Sequence, residues 1–196
     1  MAILWGMQTT TTIPETTKSP STLWTIDASH SHVGFQVRHL MISNVRGEFT
    51  KLGGTVHWDP EKPEQTRIDV EIDVDSINTR EEKRDAHLKS PDFFDAAAFP
   101  KIAFVSRGVG KRKDGALELV GDLTIRGTSR VVVLDVEGPT PTQTDPWGNV
   151  RLGASARTTI KRSDFGMTWN SALETGGVLV GDEIKIELEV ELVRAK

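Results

Sequence analysis

The 196-residue chain contains no cysteine and no tyrosine. The first absence excludes disulfides, thiolate nucleophiles and cysteine-bound zinc or iron–sulfur clusters, so redox chemistry would need a cofactor. The second removes one of the usual amphipathic liners of a cavity mouth. No window approaches the roughly 18 apolar residues that span a bilayer, which predicts no integral membrane helix. An excess of positive charge is missing too. The 24 Lys and Arg face 28 Asp and Glu, for a formal net charge of -4, and the basic residues are spread along the chain. That balance does not favour a nucleic-acid partner. At the N-terminus, MAILWGMQTTTT has a short apolar run without a preceding Lys or Arg and without a small-x-small cleavage site. It predicts no secretory signal and a cytoplasmic protein.

What the chain does have is alternation. After a Thr/Pro-rich stretch, QTTTTIPETTKSPST, which reads as a flexible arm over residues 1–22, residues 23–196 are predicted to form one domain. In EIKIELEVEL, Ile184, Ile186, Leu188, Val190 and Leu192 fall on one side, and Glu183, Lys185, Glu187, Glu189 and Glu191 on the other. RIDVEIDVDSI does the same with Ile68, Val70, Ile72 and Val74. Such strands have one apolar and one wet face, the mark of an antiparallel sheet rather than a parallel one buried on both faces. Further strands are predicted near 31–39, 45–58, 100–107, 116–126, 129–138 and 150–161, mostly joined by short turns such as IRGTSR at 125–130. One short helix is predicted in NTREEKRDAHLKS, between the third and fourth strands, with Thr79 and Glu82 as a capping box. About eight long amphipathic strands must stack as a sandwich or close into a barrel, and closure removes the exposed edges. The expectation is an all-β, eight-stranded antiparallel barrel crossed by one short helix.

An eight-stranded barrel is either just filled by side chains or wide enough for one ligand. One inward row runs Leu117, Leu119, Gly121, Leu123, Ile125, and another runs Leu152, Ala154, Ala156, Thr158, Ile160. The small residues Gly121, Ala154 and Ala156 leave volume for an apolar cavity, with Leu119, Leu123 and Ile72 on its wall. The alternative is that large residues such as Phe35 or Phe104 fill that space. Phe93, Phe94, Phe99 and Phe104 in one group, and Phe165, Met167 and Trp169 in another, either plug a barrel end or line a cavity mouth. The connection over about 162–182 is a candidate lid.

Catalytic chemistry finds less support. In HSH, His30 and His32 have the spacing of a His-x-His metal site, but if Val33, Phe35 and Val37 face inward then His32 meets solvent. Ser31 points away from both neighbours, no Gly-x-Ser-x-Gly elbow is present, and the acidic residues sit on wet strand faces. The glycines of TGGVLVGDEI match neither dinucleotide-binding nor P-loop spacing. No catalytic residue, metal ligand or cofactor is expected.

Five ordered motifs, IDASHSHVGFQVRHL with VRGEF, HLKSPDFFDAAAFPKIAF, VGDLTIRGTSR and KRSDFGM, resemble those of the YceI-like family, bacterial lipocalin-like proteins regarded as polyisoprenoid-binding. The resemblance runs from about Trp24 to Val193. It implies a lipocalin-like barrel with a long hydrophobic channel for an isoprenoid quinone, polyprenyl or fatty acyl-type lipid, often in a homodimer. By this resemblance Phe35, Phe49, Phe104, Gly121 and Phe165 line or close the channel. Asp27, His30, Arg162 and Asp164 tie connections to the barrel, and His39 and Arg46 are candidates to meet a polar head group. Many members carry a secretory signal, which this N-terminus does not show. The expected function is non-enzymatic binding, storage or transport of a long apolar ligand, with neither nucleic acid nor cofactor involved. Two alternatives stand beside it: a filled barrel serving as an interaction or stress-associated structural module, and an enzyme acting on a bound lipid through His39 or His87. Replacing Gly121 or Ala156 with Phe is expected to block the channel while the fold survives, and replacing His30 with Ala to lower stability more than affinity.

Overall fold

The computed structural model describes residues 22–59, 61–112, 116–172 and 177–196. The proposed arm over 1–22 lies almost wholly outside them. The alternating stretches form one antiparallel sheet that closes on itself. In chain order the strands are β1 (Thr22–Ile26), β2 (His32–His39), β3 (Ser43–Phe49), β4 (Leu52–Trp58), β5 (Arg67–Asp73), β6 (Ile77–Asn78), β7 (Lys101–Lys111), β8 (Leu117–Ile125), β9 (Thr128–Glu137), β10 (Gln143–Thr144), β11 (Val150–Lys161) and β12 (Val180–Arg194). Three pairs of these act as single bent walls: β1 with β2, β3 with β4, and β5 with β6. The ring then runs β12, β1/β2, β3/β4, β5/β6, β7, β8, β9, β11 and back to β12, eight walls in all.

β12 shows why the ring closes. It pairs along its length with β11, from Arg151–Val193 to Lys161–Glu183. Its other edge takes β2 in its first part and β1 at its end. Most walls are partnered on both edges, which leaves fewer backbone groups to recruit another chain; the exceptions are β9 with β11, paired only from Ser155–Glu137 to Arg157–Asp135, and β3 with β6, paired only at Glu48–Asn78 and Phe49–Ile77. The β8–β9 connection is the expected tight turn: Arg126 (φ 50°) and Gly127 (φ 69°) both adopt the left-handed conformation of a two-residue hairpin whose twist matches its strands. Strand β1 and the two-residue β10 are additions to the sequence expectation; each is too short for a period-two pattern to stand out.

Helix α1 (Glu82–Lys89) lies between β6 and β7, as expected, but the capping box does not form. The N-cap is Glu81, whose carboxylate accepts the backbone N–H groups of Lys83 and Arg84. Thr79 is instead consumed elsewhere, its N–H and hydroxyl both donating to Asp85. Leu88 anchors this otherwise polar helix on the core. The core has two parts. Trp24, Val56, Leu152 and Leu192 fill one end of the barrel, while Phe49, Val74, Ile77, Phe165 and Met167 pack with residues of β7, β8, β9 and β11 toward the helical end.

Candidate ligand cavity

Between the two core clusters the barrel is not filled. An interior cavity of about 300 Å³ remains, and the surface it exposes is apolar. The alternating pattern accounts for its wall. On β12, Ile184, Ile186, Leu188 and Val190 all face inward, yet each stays half-buried, and only Leu192, at the packed end, is buried. An inward-facing residue that keeps exposed surface is looking into empty space rather than into a neighbour. The same holds for Ile68, Val70 and Ile72 on β5.

Phe35, Val37 and Phe49 from the first two walls line the cavity, as do Ile72, Phe93, Phe94, Phe104, Leu119, Leu123, Ala154 and Ala156. Four other residues singled out from the sequence do not. Gly121 is covered: a Cβ on it would stand 2.3 Å from Phe104 Cζ and 2.7 Å from the Val105 carbonyl oxygen. The expectation that a small residue leaves a void therefore fails at this position, because the neighbouring ring takes the space, and Gly121→Phe is a clash rather than a plug. His39 ends β2 opposite Ser43 and Val180, beyond Val37, the last lining residue of that strand. Phe165 is 1% exposed and packs within the core beneath the 3₁₀ turn Arg162–Phe165. Trp169 stacks outside the cavity, with its ring 4.8 Å from that of His87 and 5.3 Å from that of Phe93. Ile26, Trp58 and Val180 line the cavity without having been singled out. The strand parity that identifies their neighbours would have included Trp58; Ile26 and Val180 lie where strand boundaries were not legible.

The expected lid over 162–182 is a structured cap as far as Ala172; residues 173–176 lie outside the described chain. Gly166 (φ 76°) ends the 3₁₀ turn in the left-handed conformation, its N–H bonded to the carbonyls of Arg162 and Ser163. Arg162 is 5% exposed. Its guanidinium donates to the carbonyl oxygens of Gly181 (2.9 Å), Met167 (2.6 Å) and Trp169 (2.9 Å). Burial lowers its pKa, partly opposed by the charge of Asp182.

A second arginine organises the opposite end. Arg151 donates to Asp27 (2.6 Å), Asp145 (2.7 Å) and Glu191. These three hydrogen-bonded carboxylates, Asp27 first, raise its pKa. Asp27 is held well below the usual carboxylate range by hydrogen bonds from Ser29, Arg151 and His30. For Asp145 desolvation works the other way, but bonds from Asn149, Arg151 and the backbone outweigh it and lower its pKa. Asp27, His30 and Glu191 place ligand-type atoms within 4.8 Å of one another; Arg151 bridges the two carboxylates of this group. His32 turns to Glu48 (3.2 Å) on the outer face, so the two histidines of HSH serve different partners. As the resemblance implied, Asp27, His30 and Arg162 tie connections to the barrel; Asp164, the fourth residue so assigned, is instead exposed and its side chain makes no hydrogen bond or ion pair among the described residues. None of the chain's five histidines lines the cavity, and His87 pairs with Asp92 at 2.8 Å outside it.

Among known proteins, a UPF0312 protein of Staphylococcus aureus is 39% identical over 170 residues, covering 87% of this chain and 96% of its own length. The Campylobacter jejuni YceI protein is similar at 35% identity and a TM-score of 0.68, over 87% of this chain and 96% of that one. BcnA of Burkholderia cenocepacia shares the fold at 24% identity and a TM-score of 0.71, over 85% and 98% of the two chains. So does a polyisoprenoid binding domain of Saccharophagus degradans, at 14% identity and 0.64, over 88% and 98%. The YceI-like domain model matches residues 24–192, and with a closed barrel of the same design around an apolar interior, the chain belongs to the YceI-like family.

Proposed function

We propose that this protein binds and carries a long apolar chain in its barrel, without chemistry of its own. The observation that carries this reading is the unfilled interior, which has an apolar wall, half-buried inward residues and no histidine. An apolar cavity of about 150 Å³ accepts benzene, so about 300 Å³ suits roughly a dozen carbon atoms. At about 0.8 kcal/mol per buried methylene, such a chain gains roughly 10 kcal/mol, against 4 kcal/mol or more lost on immobilisation. Apolar burial can therefore supply most of the affinity. The fold shared with a polyisoprenoid binding domain makes an isoprenoid the first chain to test.

Native mass spectrometry of the protein from its own host, with organic extraction of whatever dissociates, tests this directly. A stoichiometric isoprenoid or acyl chain is the expected result. An apo mass that stays unchanged after incubation with quinones, polyprenols and fatty acids would overturn it. A second reading, an interaction module, has one observation in its favour: Val105, Val131 and Val133 are about half exposed on the outer face. It gains if the protein self-associates and binds no lipid.

A further inference from the structure

The turn that joins β2 to β3 breaks two local rules at once. It spans His39–Ile42 and is closed by a bond from the Ile42 N–H to the His39 carbonyl. Both central residues, Leu40 (φ 51°) and Met41 (φ 60°), are left-handed. A two-residue hairpin turn needs that conformation and normally gives it to Asn, Asp or Gly, because a Cβ there crowds the following carbonyl. Here it falls on two large apolar side chains. The β8–β9 turn, by contrast, places Gly127 in the second of these positions. Nor does the tip gain burial. Met41 is 53% exposed and Ile42 76%; Val178, next to the Leu179 carbonyl that accepts the Leu40 N–H, is 40% exposed. A strained backbone that presents apolar side chains to water is not explained by the fold alone.

The charge around the tip narrows what it can meet. From Ala28 to Gly47 the chain holds no Asp or Glu, although it has 28 in all. Arg38 and Arg46 are exposed on this hairpin, and Arg38 braces the turn by donating Nε to the Met41 carbonyl (3.2 Å). Among the described residues the Arg46 side chain has no hydrogen bond or ion pair. At the start of β12, Asp182 accepts from Ser163 (2.8 Å) and Glu183 stands opposite Lys161. An apolar tip with cations behind it and no acid of its own suits a bilayer with anionic head groups. Aliphatic side chains enter the acyl boundary while arginines stay at head-group level. Because the whole chain carries a net charge of -4, the attraction is local to the tip and orients the barrel.

The tip also stands at the rim of the cavity. Val37 on β2 and Val180 on β12 are lining residues, and Val180 is in register with His39, at the base of the turn.

We propose that the β2–β3 tip, Leu40–Ile42, docks on an anionic lipid bilayer and holds this rim against the membrane from which the apolar ligand is drawn. The purpose of docking rests on the barrel being a lipid container; docking itself is measured without a ligand. The test is to sediment the full chain with vesicles of phosphatidylcholine alone and of phosphatidylcholine mixed with phosphatidylglycerol. Binding about tenfold tighter to the anionic vesicles is expected at low salt, with the ratio shrinking as salt is added. I42S should weaken binding about fivefold and leave the melting temperature unchanged. L40N/M41G should also weaken it, yet raise the melting temperature by about 3 °C, because those residues accept the left-handed turn. A purely structural turn would not couple a gain in stability to a loss of vesicle binding. R38Q/R46Q should abolish the preference for phosphatidylglycerol. Equal binding to both vesicles, or anionic binding that survives I42S and L40N/M41G, would overturn the docking. Self-association that I42S abolishes, without vesicle binding, would overturn it as well and make the tip a contact between copies of this chain. Farnesol binding in free solution keeps the two readings apart: its absence in the unaltered protein would overturn the container without touching the docking.

Discussion

Arg151 enters β11 at one end of the barrel and Arg162 follows β11 at the other, and their surroundings are opposite in kind. Arg151 meets three carboxylates, drawn from the β1–β2 connection, the turn before β11, and β12. Arg162 donates only to carbonyl oxygens, those of Met167 and Trp169 just after the 3₁₀ turn and that of Gly181 at the start of β12. The first arrangement locks together strands that are already paired with one another. The second ties residues 167–169, which lie outside any strand, to the start of β12. The difference teaches which end can yield: the Arg151 end is braced twice, by ladder and by charge, while the segment after the 3₁₀ turn is held mainly by side-chain bonds, those of Arg162 together with Asn170 to Val180, Ser163 to Asp182 and Arg126 to Gly166.

The contrast is most open to attack at Arg162. R162A leaves several buried carbonyls without a donor, and a loss of about 3 kcal/mol in urea unfolding is expected, with a change in Trp169 fluorescence. R162K should also lose stability, because an ammonium cannot reproduce the planar fork. Stability equal to that of the unaltered protein would show that the cap is held by other contacts. R151M should lower the melting temperature less than R162A does and leave lipid affinity unchanged; a larger drop than R162A would reverse the comparison.

Between the two ends, A156F places a ring in the cavity. It should reduce affinity for farnesol about tenfold or more while the melting temperature holds or rises slightly. Binding that survives would mean the ligand sits elsewhere.

The smallest effect concerns acid. The folded-state pKa values of Asp27 and Asp145 lie below the usual value near 3.9. The stability they contribute is therefore fully present above about pH 5 and is lost as the pH falls below 4 toward their folded values. D27N should flatten this acid limb in a melting-temperature profile from pH 7 to 3, with little change at neutral pH beyond its own lost bonds. An unaltered limb would show that Asp27 does not carry it.

Most of the wall was legible in the sequence because a strand's side chains alternate strictly, so a single inward residue assigns its whole row. That rule reached Phe35, Val37 and Ile72, and it separated Ile184, Ile186 and Leu188 from the glutamates between them. It failed where a position's volume is decided by another strand. Gly121 reads as empty in its own row, yet Phe104 from β7 lies over it. The rule also says nothing about connections. Thr79 and Glu82 have capping-box spacing, but the chain enters the helix two residues later, with Glu81 as cap and Thr79 turned to Asp85. Trp169 and Phe165 were recognisable as aromatic and near one end, though not which of them would be buried.

By itself the sequence determined an all-β domain of about eight amphipathic antiparallel strands with an apolar inside, because period-two patterning needs no tertiary information to be read. The tertiary structure decided how those strands close and how much of the interior stays empty. Closure depends on β12 offering both edges at once. The free volume depends on which rings swing over which small residues, as Phe104 does over Gly121. Each of these is set by contacts between residues far apart in the chain, which no local pattern records.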